Sequence, residues 1–329
     1  MRRWKYTANA SFYGLRRDRF TQYQPEASVK EKLERIIATP GITGVELKYP
    51  FDFEDPKTVK SILSDSGLQV SAVNVDIKDS NYFRFGALSA SDKAARDKAV
   101  ELLTAGMDLA AEFGTEVVST CPLADGYDYP FQLDFTDAWG FFVETVGRVC
   151  RHRDDVTLAL EYQPHEPHAH ILLNNVGKML YVCSEVGLPN LGANLDIGHS
   201  FAALESPAES AALLASKERL NYMHASDNTG DGGDWDMLSG SVHFWHWVEL
   251  LLTMDKVGYD GWIGADLMAK FSTAQTFYST NIRLIDGMIA LLDSVGTKEM
   301  HRLIAANGST PQLYKVFADR LNDLTTLPG

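Results

Sequence analysis

The chain alternates short apolar runs with longer stretches in which apolar residues recur every three or four positions. The runs fall near Tyr6–Ala10, Gly44–Leu47, Val70–Asn74, Glu116–Thr120, Thr157–Glu161, Gly192–Asp196, Asn221–His224 and Ile263–Asp266. Runs of this length between loops suit buried strands, although period alone does not exclude helix. The intervening stretches read as helices. Asp92–Gly114 sets Val100, Leu103, Met107, Ala110 and Ala111 on one face. Ser28 and Glu31 spell a capping box. Asp55-Pro56 and Ser206-Pro207 each place an N-cap before a first-turn proline, and Glu209 completes a second box. About eight strand–helix units predict an α/β protein, a (β/α)8 TIM barrel, over residues 1–294. Two amphipathic stretches, roughly Lys298–Ala306 and Pro311–Asp323, exceed what a barrel needs. They predict a C-terminal helical extension over 295–329, packed on the barrel or on another subunit.

Composition narrows the function classes. The 329 residues are 45% hydrophobic, enough for a large core. Lys plus Arg number 30 against 44 Asp plus Glu, a net charge of -14 that opposes a nucleic-acid or anionic-membrane surface. Cys121, Cys150 and Cys183 show no paired spacing, which predicts reduced thiols in a reducing compartment. Met1–Ala10 carries Arg2 and Arg3 without an apolar stretch behind them, so no secretory signal is expected. No run approaches the ~18 apolar residues of a membrane span. The expectation is a cytoplasmic protein.

The ends of the last four runs change the picture most. They stop at Glu161, Asp196, His224 and Asp266. Polar groups at the carboxyl ends of successive parallel strands converge above a barrel. Three carboxylates and an imidazole around one point repel one another unless a cation sits among them. Manganese suits hard oxygen donors with a single imidazole, with cobalt, magnesium or zinc as alternatives.

Leu195-Asp196-Ile197-Gly198-His199 puts a second imidazole three residues after a carboxylate. Alone, D-x-x-H is ordinarily a capping Asp before a surface His; at the end of the sixth run it points to the mouth. His224 is followed by a loop with Gly230, Gly232 and Gly233 that leads to Asp234-Trp235-Asp236. The glycines let this loop bend over the mouth. A D-x-D in a loop is usually a solvated turn, but here it offers a second metal site or an acid/base pair.

Glu161, Asp196-x-x-His199, His224, Asp234-x-Asp236 and Asp266, together with the eightfold alternation, resemble the xylose isomerase-like TIM barrels. That superfamily includes xylose and L-rhamnose isomerases, ketose 3-epimerases, inosose dehydratases and endonuclease IV-type enzymes. The resemblance spans roughly Met1 to Ser294. It implies that Glu161, Asp196, His224 and Asp266 hold one divalent metal. It also implies that His199, Asp234 and Asp236 hold a second metal or move protons. Asp266, where epimerases usually carry Glu, is similar to the L-rhamnose isomerase pattern. Gly240–Phe244 and Val257–Trp262 also resemble the isomerase/epimerase members.

One departure bears on the reaction. Aldose–ketose isomerases typically carry E-x-K at the fifth strand, whereas this chain reads Glu161-Tyr162-Gln163. Gln163 can hydrogen-bond a substrate oxygen but brings no charge. The leading expectation is an isomerase or epimerase acting on a small-molecule sugar or sugar derivative through a metal-stabilised enediolate, with Glu161, His199, Asp236 and Gln163 at the chemistry. The alternative is a lyase on an oxidised sugar or keto-glycoside, resembling inosose dehydratases or the α subunits of C-glycoside deglycosidases. An endonuclease IV-like phosphodiesterase would need histidines where Asn74 and Cys121 stand, and a non-catalytic binding module would not need the ligand set. Glu46 and Lys48 form a structural ion pair or touch substrate. His165, Tyr127 and Trp235 are placed at the pocket, and His168 and His170 at a helix start on the surface. Tyr129 and Phe131 share the aromatic loop of Tyr127, and His243 is read as orienting a ligand. A homo-oligomer is expected, or a hetero-complex with a small accessory subunit.

Overall fold

A computed structural model describes residues 1–78, 80–231, 233–306 and 310–325, the side chains of 80 and 323–325 excepted; Gly232 lies outside the described residues. Eight strands carry the architecture: β1 Lys5–Asn9, β2 Ile42–Tyr49, β3 Gln69–Val75, β4 Val117–Thr120, β5 Thr157–Glu161, β6 Leu191–Asp196, β7 Leu220–His224 and β8 Trp262–Ile263. They pair in parallel in the order β7-β6-β5-β4-β3-β2-β1-β8. The ring closes through two bonds across the β7–β8 gap. Ala225 N–H donates to the Gly264 carbonyl at 2.8 Å, and Gly264 N–H to the Met223 carbonyl at 2.9 Å. Gly264 has no side chain because a Cβ there would press on the Met223 carbonyl at 3.0 Å and on His224. The result is a (β/α)8 barrel.

An outer layer follows in sequence: α1 Val29–Ile37, α2 Pro56–Ser66, α3 Lys93–Phe113, α4 Phe135–Cys150, α5 Val176–Val186, α6 Pro207–Ala215, α7 Phe244–Val257 and α8 Ala274–Val295. The helix starts read from sequence are mostly present. Ser28 and Glu31 exchange both capping bonds. The Asp55 carboxylate accepts from Thr58 N–H ahead of Pro56. Ser206 differs, since its side chain makes no capping bond. Pro207 fixes the first turn there, and the Ser206 carbonyl accepts from Ser210 N–H at 3.0 Å.

The core lies between strands and helices. Val45, Leu47, Val73, Val118, Leu158, Leu160, Leu195 and Met223 face helix residues such as Leu103, Met107, Phe142, Val146 and Ile285, all buried. The barrel axis is different. Ala72, Ala159 and Tyr222 fill its lower part. The Tyr222 hydroxyl, Ser71 Oγ and Thr7 Oγ1 form a hydrogen-bonded chain of 2.8 and 2.7 Å. Above it the axis is polar, which positions the site. Two further helices, α9 Thr297–Ala305 and α10 Thr310–Thr325, lie against α7 and α8. Trp245 of α7 packs on Tyr314 and Phe317 with ring centroids 5.2 Å away. The extension thus packs on the barrel's own helices. The three cysteines are free and buried. Among the described residues no helix is long and apolar enough to cross a membrane.

Candidate metal centre and active site

Four consecutive strand ends deliver four donor side chains to one point. Glu161 closes β5, Asp196 closes β6 and His224 closes β7. The fourth differs from its sequence placement: β8 ends at Ile263, and Asp266 sits in the loop beyond the Gly264 bridge. One ligand atom from each lies within 4.8 Å of the others. His224 Nδ1 faces the group, 3.4 Å from Glu161 Oε2, 3.5 Å from Asp266 Oδ2 and 3.9 Å from Asp196 Oδ2.

Each donor has its own support. The Asp196 carboxylate does two jobs: Oδ1 caps the short helix Ile197–Ala202 by accepting from His199 N–H at 2.9 Å and also accepts from Ser226 Oγ at 2.9 Å. Its Oδ2 is buried with no hydrogen-bond partner. The capping and ligand readings of D-x-x-H therefore describe two oxygens of one side chain. Gly198 keeps this arrangement open, because a Cβ there would lie 2.5 Å from Ser226 Oγ. Asn194 donates to Glu161 Oε2 at 3.0 Å, and Asn9 donates to Asp266 Oδ1 at 3.0 Å. Glu46, fully buried, lies 2.8 Å from His224 Nε2 and accepts from Asn74 at 2.8 Å and Ser119 at 3.0 Å.

Electrostatics agree with a missing positive charge. Burial and the neighbouring carboxylates push Asp196 up, and they push Asp266 up to about 7. Burial works against charge on His224 and His199, yet the surrounding carboxylates hold both well above the ordinary imidazole range. Burial also opposes charge on Glu161, but His224 and then His199 hold it down at about 2. Three carboxylate donors, one imidazole and an orphaned buried oxygen fit a hard divalent ion. Glu161, Asp196, His224 and Asp266 would hold it, each oriented from behind by a hydrogen-bond partner.

A second group adjoins the first. His199 Nδ1 is 3.2 Å from Glu161 Oε1, out of hydrogen-bond alignment, while Nε2 is 3.2 Å from Asp234 Oδ2. Asp236 is buried with left-handed backbone, φ 47°, where a non-glycine residue is uncommon. Burial and the carboxylates of Asp234, Asp266 and Asp196 push its carboxyl well up. Gln163 is buried between Cys121 Sγ, 3.6 Å from its carbonyl oxygen, and the His165 carbonyl, which accepts from its amide at 2.8 Å. A cavity over the donor cluster is lined by Asn9, Arg16, Lys48, Asn74, Lys78, Cys121, Glu161, Gln163, His199, Asp234, Asp236 and Asp266.

Several expected residues have partners other than those the sequence suggested. Glu46 and Lys48 do not pair with each other: Glu46 goes to His224 and Lys48 Nζ to Asp76 at 2.7 Å. Successive inward positions of one strand meet different layers of the barrel. His165 Nδ1 turns to the Ala169 carbonyl at 2.7 Å and does not line the cavity. Tyr127 stacks on His170 at 4.9 Å in the ribbon that pairs Gly126–Tyr127 with His170–Ile171. His168 and His170 therefore belong to that ribbon and its approach, not to a helix start. Tyr129 and Phe131 are exposed. Trp235 is 44% exposed and donates to Asp231 at 2.8 Å. His243 pairs with Asp227 at 2.8 Å and stacks on Phe201, away from the donor cluster. Asn9, Asn194, Ser226 and Arg16 were not singled out in the sequence.

An eight-stranded parallel barrel with a carboxylate–imidazole cluster at its carboxyl-end mouth defines the class. The chain belongs to the xylose isomerase-like TIM barrel family, whose model matches residues 35–275. A xylose isomerase of Thermus thermophilus is 25% identical over 207 residues, covering 61% of this chain and 54% of that protein. The chain thus spans about half the length of that curated relative. Among solved structures, a D-tagatose 3-epimerase-like protein superposes with a TM-score of 0.70 at 18% identity, covering 88% of this chain and 98% of that one. An L-ribulose 3-epimerase gives 0.64 at 18% identity, covering 94% and 99%. At these identities the likeness speaks for the fold.

Proposed function

We propose that the protein is a divalent-metal-dependent isomerase or epimerase of a small sugar derivative, working by proton transfer beside a carbonyl. One observation carries this reading: Glu161, Asp196, His224 and Asp266 converge with Asp196 Oδ2 unpartnered, and Glu161 and Asp266 of that cluster line the same cavity as Asp236, Asp234 and His199. A divalent ion held by Glu161, Asp196, His224 and Asp266, manganese by preference with cobalt, magnesium or zinc as alternatives, would polarise the substrate carbonyl and acidify the adjacent C–H.

The side chains do the rest. Asp236, its carboxyl pushed up by burial and by neighbouring carboxylates, is placed to give a proton to substrate. His199 is hydrogen-bonded to Asp234 through Nε2, and its unpartnered Nδ1 lies 3.2 Å from Glu161 Oε1, so a small turn of the ring would link the two carboxylates for proton movement. Gln163 has its carbonyl oxygen next to Cys121 and one amide hydrogen on His165; its second amide hydrogen remains for a substrate oxygen. Without a charge at this position, a ketose or an already oxidised sugar suits the site better than a free aldose.

Turnover of ketoses, aldoses and oxidised sugars with Mn²⁺ in deuterium oxide tests the reading. The product should acquire one deuterium at the carbon beside the carbonyl and otherwise keep its mass. Loss of water or of an aglycone would assign the lyase instead. Efficient aldose isomerisation without deuterium would mean a hydride shift and overturn the proton-transfer mechanism.

A further inference from the structure

The wall of the cavity across from the carboxylates is basic. Arg16 lies in a short ribbon in which Arg16–Arg17 pairs with Gln22–Gln24. Its guanidinium sits 4.1 Å over the Phe12 ring. The Nε is buried with no hydrogen-bond partner, while Nη1 donates only to the neighbouring Leu15 carbonyl at 3.3 Å. Asp236 and Asp266 act on this charge from across the cavity, but among the described residues it makes no ion pair within 4 Å. Lys48 lines the same wall with its ammonium on Asp76 at 2.7 Å. Lys78 completes it, and its charge reaches Glu161 and Cys121.

A desolvated guanidinium edge without a partner is costly and needs an anion to complete it. The carboxylates of the donor cluster do not serve. They face the cation point, and each already has a hydrogen-bonded support there. What remains is an unpartnered guanidinium edge, fixed by stacking on Phe12, with Lys48 and Lys78 lining the same cavity. That is the geometry in which arginine grips a planar or tetrahedral oxyanion.

We propose that Arg16, flanked by Lys48 and Lys78, receives a terminal oxyanion of the substrate, a carboxylate or a phosphate. The enzyme then works on sugar acids or sugar phosphates rather than on neutral sugars. This deepens the isomerase reading and rests on it for the reaction, but the binding claim is separately measurable.

The full-length, Mn²⁺-loaded protein is titrated calorimetrically with D-fructose, D-fructuronate and D-fructose 6-phosphate at one ionic strength. One of the two anions should bind at least about tenfold tighter than fructose, the scale of a charged hydrogen bond. Whichever it is assigns the oxyanion. Arg16→Met, which keeps an apolar stem over Phe12, should abolish the preference, and Arg16→Lys should restore part of it. Lys78→Ala, at an exposed position that leaves the fold untouched, should reduce it several-fold. Equal affinity for all three probes, binding of none, or a preference that survives Arg16→Met overturns the proposal. An Arg16-dependent preference without deuterium exchange in any probe would leave the oxyanion site standing and remove the isomerase reading.

Discussion

Glu46 shows how one side chain acts on the site without touching a ligand. Its carboxylate lies 2.8 Å from His224 Nε2, so Nδ1 is the nitrogen that faces Glu161, Asp196 and Asp266. A carboxylate behind an imidazole fixes the ring and raises its basicity as a ligand. Glu46→Gln keeps the shape and the bonds from Asn74 and Ser119 but removes the charge. Manganese affinity should fall about 10–100-fold, the usual scale for such a partner, with the circular dichroism spectrum unchanged. Unaltered affinity by calorimetry would show that the pair is only structural. Residue type made part of this legible. Acidic residues and histidines at strand ends stand out in sequence, and so did Glu46, though in the wrong company. Asn9, Asn194 and Ser226 did not, because a neutral polar residue in or beside a strand carries no mark of what it supports. Arg16 precedes a surface-looking run of charged residues, and nothing in the sequence says that its guanidinium turns inward over Phe12.

At the scale of elements, the loop from Ala225 to His243 is held by one buried carboxylate. Asp227 accepts from Asn228 N–H at 2.8 Å and from Val242 and His243 N–H at 3.0 Å each, beside its contact with His243 Nδ1. Asp227 N–H and Met237 N–H each donate to the other's carbonyl, at 2.9 and 3.0 Å. The loop carries Asp234 and Asp236, so Asp227 sets where the acid/base groups stand. Asp227→Ala leaves three backbone donors without their acceptor, of which the buried Asn228 N–H costs about 1–3 kcal/mol before relaxation and the two part-buried ones less. Amide hydrogen exchange over 228–243 should accelerate at least tenfold while the strands keep their protection. Uniform acceleration across the barrel would instead make Asp227 a global support. The strands were readable to within two residues at most ends, because apolar runs and their loops mark them. The exception, β8, stops early because Gly264 must sit flat against Met223 and His224, a constraint set by a neighbour some forty positions away.

For the whole molecule, the unmet need for positive charge ties stability to pH. His224 and His199 are raised above their ordinary value of 6.5, and Asp266 from 3.8 to about 7. The metal-free fold therefore binds more protons than the unfolded chain. That contribution is complete below the unfolded values and is lost as pH climbs through the raised ones. Glu161 and Glu46 are lowered, so their contribution is lost only in acid, below the range of interest. A cation reverses the trend, because it replaces protons that must leave. Manganese affinity should tighten by about tenfold per pH unit while one proton is displaced, between pH 6 and 8 and beyond the usual histidine range. At a hundred times Kd the ion adds about 2.7 kcal/mol of stability, so the rise in Tm on adding Mn²⁺ should grow from pH 6 to 8. Calorimetry in two buffers of different ionisation heat would count the protons released. A flat affinity across that range would contradict the arrangement.

The β7–β8 junction makes this barrel a hoop with a clasp. Seven neighbouring strand pairs run as ladders, but the last rests on two bonds around one glycine. His224 and Asp266, two of the four donors, lie on either side of that clasp. An ion held between them would act as a rivet through the hoop's weakest point, so occupancy of the site and integrity of the ring become one event. Loading the ion would complete the architecture as well as arm the chemistry.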